Sequence, residues 1–186
     1  LILNTHNMAN CPTDYCEDPL GTHVVLACDA IVKGGLPALI LFDCLPNDPS
    51  DGDEVQEMIE AGTAHLWEGI KSGIPASSPV EIDAVVSCGT ARVINENRTA
   101  TLYDKNVSTE NVLFFNQAKK KSFAAAILYN CDSGKSFYIA PPVEVLVRGS
   151  VIVPDQDTDV IRFEGTLNWN DLDEPTLITS PAGIFT

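Results

Sequence analysis

Hydrophobic and polar residues alternate most strictly between Pro142 and Trp169. Val143, Val145 and Val147 interleave with Glu144, Leu146 and Arg148, and the run continues from Ser150 through Val151, Ile152 and Val153. Beyond an acidic PDQDTD turn, Ile161, Phe163, Gly165, Leu167 and Trp169 fall on one side. Val160, Arg162, Glu164, Thr166 and Asn168 fall on the other. A period of two sends successive side chains to opposite faces of a strand, so the stretch predicts an antiparallel hairpin with one apolar and one hydrophilic face. Its arms run to about ten residues each, against the usual five or six.

Other stretches carry weaker patterns. His23 to Ala30 and Leu36 to Cys44 read as strands, and an acidic loop spans Pro46 to Asp53. Val55, Met58, Ile59, Gly62, Leu66, Gly69 and Ile70 recur at three- and four-residue intervals, which predicts a helix from Ser50 to Lys71. Asp53, Glu54 and Glu57 suit the positive end of its dipole, and Gly73 and Pro75 would stop it beyond Lys71. Residues 74–79 (IPASSP) form the one plausible internal boundary. They separate an N-terminal arm and helix-containing segment (1–79) from a β-sandwich or barrel domain with an extended tail (80–186). Within the second part, strands are expected over Ala84–Ser87, Thr90–Leu102 (with a turn or bulge at Asn95-Glu96-Asn97), Ser122–Asn130 and Ser136–Ala140. A short helix over Ser108–Lys121, capped by Ser108 or Thr109, would turn Leu113, Phe114 and Ala118 inward. The fold class is therefore mainly β: an antiparallel sandwich or barrel with a long C-terminal hairpin and one or two flanking helices.

Charge narrows the functions open to such a fold. Eleven Lys and Arg face 26 Asp and Glu, a formal charge of −15, which argues against holding nucleic-acid phosphates as the main activity. The one basic cluster, Lys119 to Lys121, reads as a solvated helix end. The most apolar run, Ile31 to Leu45, is broken by Lys33, Gly34, Gly35, Pro37 and Asp43 and reads as buried core rather than a membrane span. LILNTHNMAN lacks the basic and apolar regions of a signal peptide. The six cysteines (Cys11, Cys16, Cys28, Cys44, Cys88, Cys131) admit either buried thiols or three disulfides. Asn97-Arg98-Thr99 and Asn106-Val107-Ser108 match the glycosylation pattern, which has meaning only in a secretory pathway.

Motifs for chemistry are sparse. His6, His23 and His65 are the only histidines, and no local signature pairs one with Cys88 or Cys131. No catalytic residue is nominated. Metal spacing is also wanting: C-x4-C has no partner pair, and the calcium-like loop from Asn47 to Glu54 fails on Pro49 and Met58. Asp155, Asp157 and Asp159 read as a solvated turn. Gly34-Gly35 before Leu36-Pro37 cannot begin a phosphate-binding loop. No metal or other cofactor is expected.

One resemblance is carried by VRGSVIVPDQDTDVIRFEGTLNWND followed by EPTLITSPAGIF. Together with the helix before it, this region (roughly 80–186) resembles the C-terminal part of tailed-bacteriophage structural proteins of the tail-tube and head–tail connector ring type. The resemblance implies a non-enzymatic virion protein assembled in the host cytoplasm, with six copies closing rings that stack around a channel. Its partners would be copies of itself, other virion proteins, and DNA passing without specific binding, with no membrane. Glu144, Arg148, Arg162 and Glu164 would then face the channel or an adjacent strand, and Leu177, Ile178, Ile184 and Phe185 would clamp neighbouring subunits. Acidity suits a conduit in which DNA slides without sticking, and the long β-arms are expected to be finished by neighbouring copies. The alternative is a secreted carbohydrate-binding or adhesin-like β-sandwich, with Trp67, Trp169, Tyr103 and Tyr138 as stacking platforms.

Overall fold

The long hairpin forms as its alternation predicts. In the computed structural model, strands Val145–Ile152 and Arg162–Asn170 pair antiparallel from Leu146 opposite Asn168 to Ile152 opposite Arg162. The structure describes residues 36–76, 78–82, 92–130, 134–140, 144–155, 160–171 and 173–185. The expected strands at His23–Ala30 and Ala84–Ser87, and the arm over 1–22, lie outside these. Numbered in chain order, the elements are β1 (Leu36–Phe42), α1 (Gly52–Glu60), β2 (Ala64–Gly73), β3 (Ser78–Ile82), β4 (Arg92–Asp104) and α2 (Thr109–Ala118). They continue with β5 (Ser122–Phe123), β6 (Ala125–Asn130), β7 (Lys135–Ile139), the hairpin strands β8 and β9, and β10 (Thr176–Thr179).

All ten strands join one mainly antiparallel sheet in the order β10-β7-β6-β1-β2-β4-β9-β8-β5, with β3 pairing β4 off this path. The sheet is open rather than a closed barrel. It nevertheless bends round its core: β5 pairs with β8, whereas β6, one residue later, pairs with β1. The sheet does not divide at residue 79. β1 and β2 lie in its middle, between β6 and β4, so residues 36–73 belong to the same core as the hairpin.

Two local expectations are corrected. The helix after the acidic loop ends at Glu60 and not at Lys71. Gly62 adopts φ +73°, and the amides of Gly62 and Thr63 bond back to the carbonyls of Ile59 and Met58, a helix-terminating turn that glycine makes without a Cβ penalty. Leu66, Trp67 and Ile70 then belong to β2, where Trp67 and Ile70 point into the core. In α2, capped by Ser108, the buried face is Phe115 and Ala118, while Leu113 is 58% exposed. Phe115 stacks on Phe163 of the hairpin at 4.5 Å between centroids.

The inner face of the sheet is one continuous apolar cluster. Leu39, Trp67, Leu102, Leu128, Val147, Phe163 and Leu167 meet there beneath α2. The hairpin's apolar face is thus closed by its own chain over Val145, Val147, Phe163, Leu167 and Trp169, where a neighbour was expected. Gly149 and Gly165 face each other across the hairpin, and the Phe163 ring lies 2.8 Å from where either Cβ would stand. Glycine at both places lets the ring lie against the backbone. Asp104, buried, accepts from the Trp67 indole at 2.7 Å. Arg98, also buried, is held by Glu96 at 2.9 Å and Glu174 at 2.6 Å, so its charge stays compensated. Among the described residues no helix is long and apolar enough to cross a membrane.

Candidate functional site

The outer face of the sheet is split in two. Over β7, β6, β1 and the first half of β2 it is apolar: Ile40, Phe42, Ala64, Ala125 and Ile127 are buried there, with Val55 of α1 and Ile184 of the tail among them. A Cβ on Gly52, the first residue of α1, would stand 2.9 Å from the Ala182 amide nitrogen, so the tail lies directly on the helix start. Phe185 stacks on Tyr129 at 3.9 Å and 11°. The residues expected to clamp neighbours are therefore largely used within the chain. Ile184 is 6% exposed, Ile178 and Phe185 pack against this cluster, and only Leu177, at 48%, is open.

Past Gly69 the same face turns polar, with no helix packed over it among the described residues. The registers align Lys71 of β2 with Tyr103 of β4, Glu164 of β9 and Ser150 of β8 in one row. The next row holds Gly73, Thr101, Thr166 and Arg148. Lys71, Ser72, Gly73, Thr101, Tyr103 and Lys105 line a shallow groove of about 400 Å³. The Arg162 guanidinium carbon lies 5.6 Å from the Tyr103 ring centre and Lys105 Nζ 5.9 Å from it. Such cation–ring contacts are worth about 0.5–1 kcal/mol at an exposed site. Arg162 Nε also donates to Glu164 Oε1 at 2.6 Å, so this charge pair runs along one strand and not across two.

Of the four charged residues expected to face a channel or an adjacent strand, Arg148, Arg162 and Glu164 lie on this half-face, and Glu144 precedes β8 at the far end of the hairpin. Arg148 and Glu164 are exposed, Arg162 is half-buried, and Glu144 is exposed just before β8. Lys71, Lys105 and Tyr103 join them. Among the described residues, Lys71, Lys105, Arg148 and Arg162 thus lie on this face beside Tyr103 and Glu164, a local run of positive charge on a chain that carries −15 overall. An outward stripe on α1 has the opposite character: Asp53, Glu57 and Glu60, at helical spacing, are all exposed.

Other candidate chemistry resolves into structure. His65, on β2 rather than a helix, places Nε2 3.1 Å from Asp43 Oδ2, and Lys121 Nζ reaches the same oxygen at 2.6 Å. Burial pushes the Asp43 carboxyl up, but the bonds and charges of Lys121 and His65 outweigh it and hold it below its ordinary range. This trio ties the end of β1 and the start of β2 to the residue before β5. Cys88 and Cys131 lie outside the described residues; Cys44 is a free, exposed thiol.

The loop from Asn47 is organised by Glu54, whose carboxylate accepts from the Asn47 amide at 2.7 Å, the Asp48 amide at 3.0 Å and the Asn47 side chain at 3.0 Å. Those donors hold Glu54 below its ordinary range. No group of three His, Cys, Asp or Glu converges as a metal site among the described residues. Trp67 and Trp169 are 5% and 3% exposed, so neither serves as a sugar-stacking platform. Comparison of the sequence with protein-family models and with characterised proteins finds no match.

The sequence pattern grouped Arg148, Arg162 and Glu164 correctly because alternation within a strand is local. It missed Lys71 and Lys105, whose places depend on β2 and β4 pairing across 30 residues of chain. Lys71 in particular read as the end of a helix.

Proposed function

We propose that the chain is a non-enzymatic virion structural protein of a tailed bacteriophage, a tail-tube or head–tail ring subunit. Copies assemble into stacked, six-membered rings around a channel through which DNA passes without specific binding, alongside other virion proteins. What supports the reading is the unfinished side of the sheet. β5 covers β8 only at Val145 and Leu146, and among the described residues no strand pairs with the edge from Val147 to Ile152. Beyond that edge Val153, Val160 and Ile161 stand 70%, 50% and 45% exposed. A long open edge with apolar residues at its end invites strand pairing, and a lone subunit would carry it as an aggregation hazard. A neighbouring copy that lays a strand or loop there removes the hazard and, in a head-to-tail contact, propagates a ring. The acidic remainder of the surface suits DNA sliding past.

Sedimentation of the purified chain over rising concentration, with negative-stain images of the heaviest fraction, tests this. Rings or tubes are expected. Compact monomers throughout, even in concentrated solution, would overturn the proposal.

A further inference from the structure

We infer that the groove around Tyr103, with Lys71 and Lys105, docks the acidic outward stripe of α1 from a second copy of this chain; this rests on the assembly reading above. The argument starts from charge. Copies carrying −15 each repel, and a contact between surfaces of opposite sign offsets that repulsion locally. Among the described residues, the Tyr103 groove and the outer stripe of α1 are two exposed surfaces of opposite sign. The groove is concave, with Lys71 and Lys105 on its walls and the Arg162 guanidinium beside the same tyrosine. The stripe of Asp53, Glu57 and Glu60 is convex, exposed and set on a rigid helix that is capped by Asp51 and seated on the core by Val55.

The two surfaces are different parts of the molecule, so the contact is head-to-tail. Each copy offers its groove to one neighbour and its helix to the other, which is the arrangement that closes a ring or extends a stack. Nucleic acid is the other polyanion that could seat in the groove, but it would have to approach against the field of the whole acidic chain.

Charge exchange tests the inference in the full-length chain. Lys71→Glu with Lys105→Glu should raise the concentration needed for half-assembly about tenfold or more, as loss of close interfacial charge pairs does. Glu57→Lys with Glu60→Lys should do the same. That second result is diagnostic, because the double change moves the net charge from −15 to −11 (two residues, two charges each) and would favour association if net charge alone governed it. Mixing the two variants in equal amounts should restore assembly, since each then meets its complement on the other. Thermal melts of each variant alone check that both are folded, and rescue on mixing cannot come from misfolded chains.

Variants that assemble like the parent would place the interface elsewhere and overturn the inference while leaving the ring subunit standing. Loss without rescue on mixing would overturn the pairing of these two surfaces. Binding of a short DNA duplex that disappears with Lys71→Glu and Lys105→Glu, assembly being unchanged, would give the groove to nucleic acid and also overturn it. A parent chain that never assembles removes both readings together.

Discussion

The two halves of the outer face belong to one antiparallel sheet and meet at β2, yet they end differently. Over β6 and β1 the outward positions are Ile40, Phe42, Ala125 and Ile127, and α1 with the C-terminal segment covers them completely. Over β4, β9 and β8 the outward positions are Thr101, Tyr103, Glu164, Thr166, Arg148 and Ser150, and among the described residues no helix or tail segment packs over them. One apolar cluster lies beneath both halves on the inner face. The bare half is therefore polar by choice of residues and not for want of a core. Where the chain invests α1 and its tail it gains stability. Where it leaves charge and an open edge, the proposed assembly would make its contacts.

That contrast can be broken by substitution. The largest effect is expected in the covered half: Phe42→Ala, fully buried, should cost about 3–5 kcal/mol in urea unfolding, whereas Tyr103→Ala in the bare half should cost under about 1. Ile184→Ala should lose about 2–5 kcal/mol, since the tail would then be a structural cover rather than a free clamp. A loss under about 0.5 kcal/mol would return the tail to the role expected from its sequence.

Gly165→Ala probes the hairpin, because its Cβ would meet the Arg148 carbonyl and the Phe163 ring. A cost of about 1–3 kcal/mol, or misfolding, is expected from such overpacking. Asp43 gives a smaller, pH-dependent effect. Its folded carboxyl sits below the ordinary 3.8, so the stability it contributes is present above that pH and is lost as pH falls through its folded value. Acid unfolding of Asp43→Asn should therefore show a shallower fall below about pH 4 than the parent. Smallest of all, Glu164→Gln should change monomer stability by under about 0.5 kcal/mol, as an exposed charge with no burial to lose.

Much of this was legible from the chain and some was not, for physical reasons. The hairpin announced itself because Val145, Val147, Phe163 and Leu167 repeat with period two and nothing local competes. Ser108 as a helix cap was equally plain. The helix at Val55 was overextended because Leu66, Gly69 and Ile70 keep a helical spacing by coincidence. The stop lies in the backbone turn at Gly62 and in the pull of Trp67 and Ile70 into the core. Leu113 was expected inward and Phe115 went unnamed because neighbouring apolar residues on a short helix leave its phase undetermined until the partner surface is known. The insertion of β1 and β2 into the sheet's centre depends on β1 pairing with β6, 83 to 91 residues away, and β2 with β4, 28 to 34 residues away, which no local pattern encodes. For the same reason the groove at Tyr103 could be seen only after β2 and β4 were side by side.

The central claim is that the open edge of β8 and the bare half-face beside it are completed by another copy. Amide hydrogen exchange along Val147 to Ile152, followed across a wide range of protein concentration, addresses it most directly. Protection of these amides should rise with concentration while that of buried β1 stays constant. Protection that is the same in dilute and concentrated solution, under conditions where heavier species form, would contradict the account.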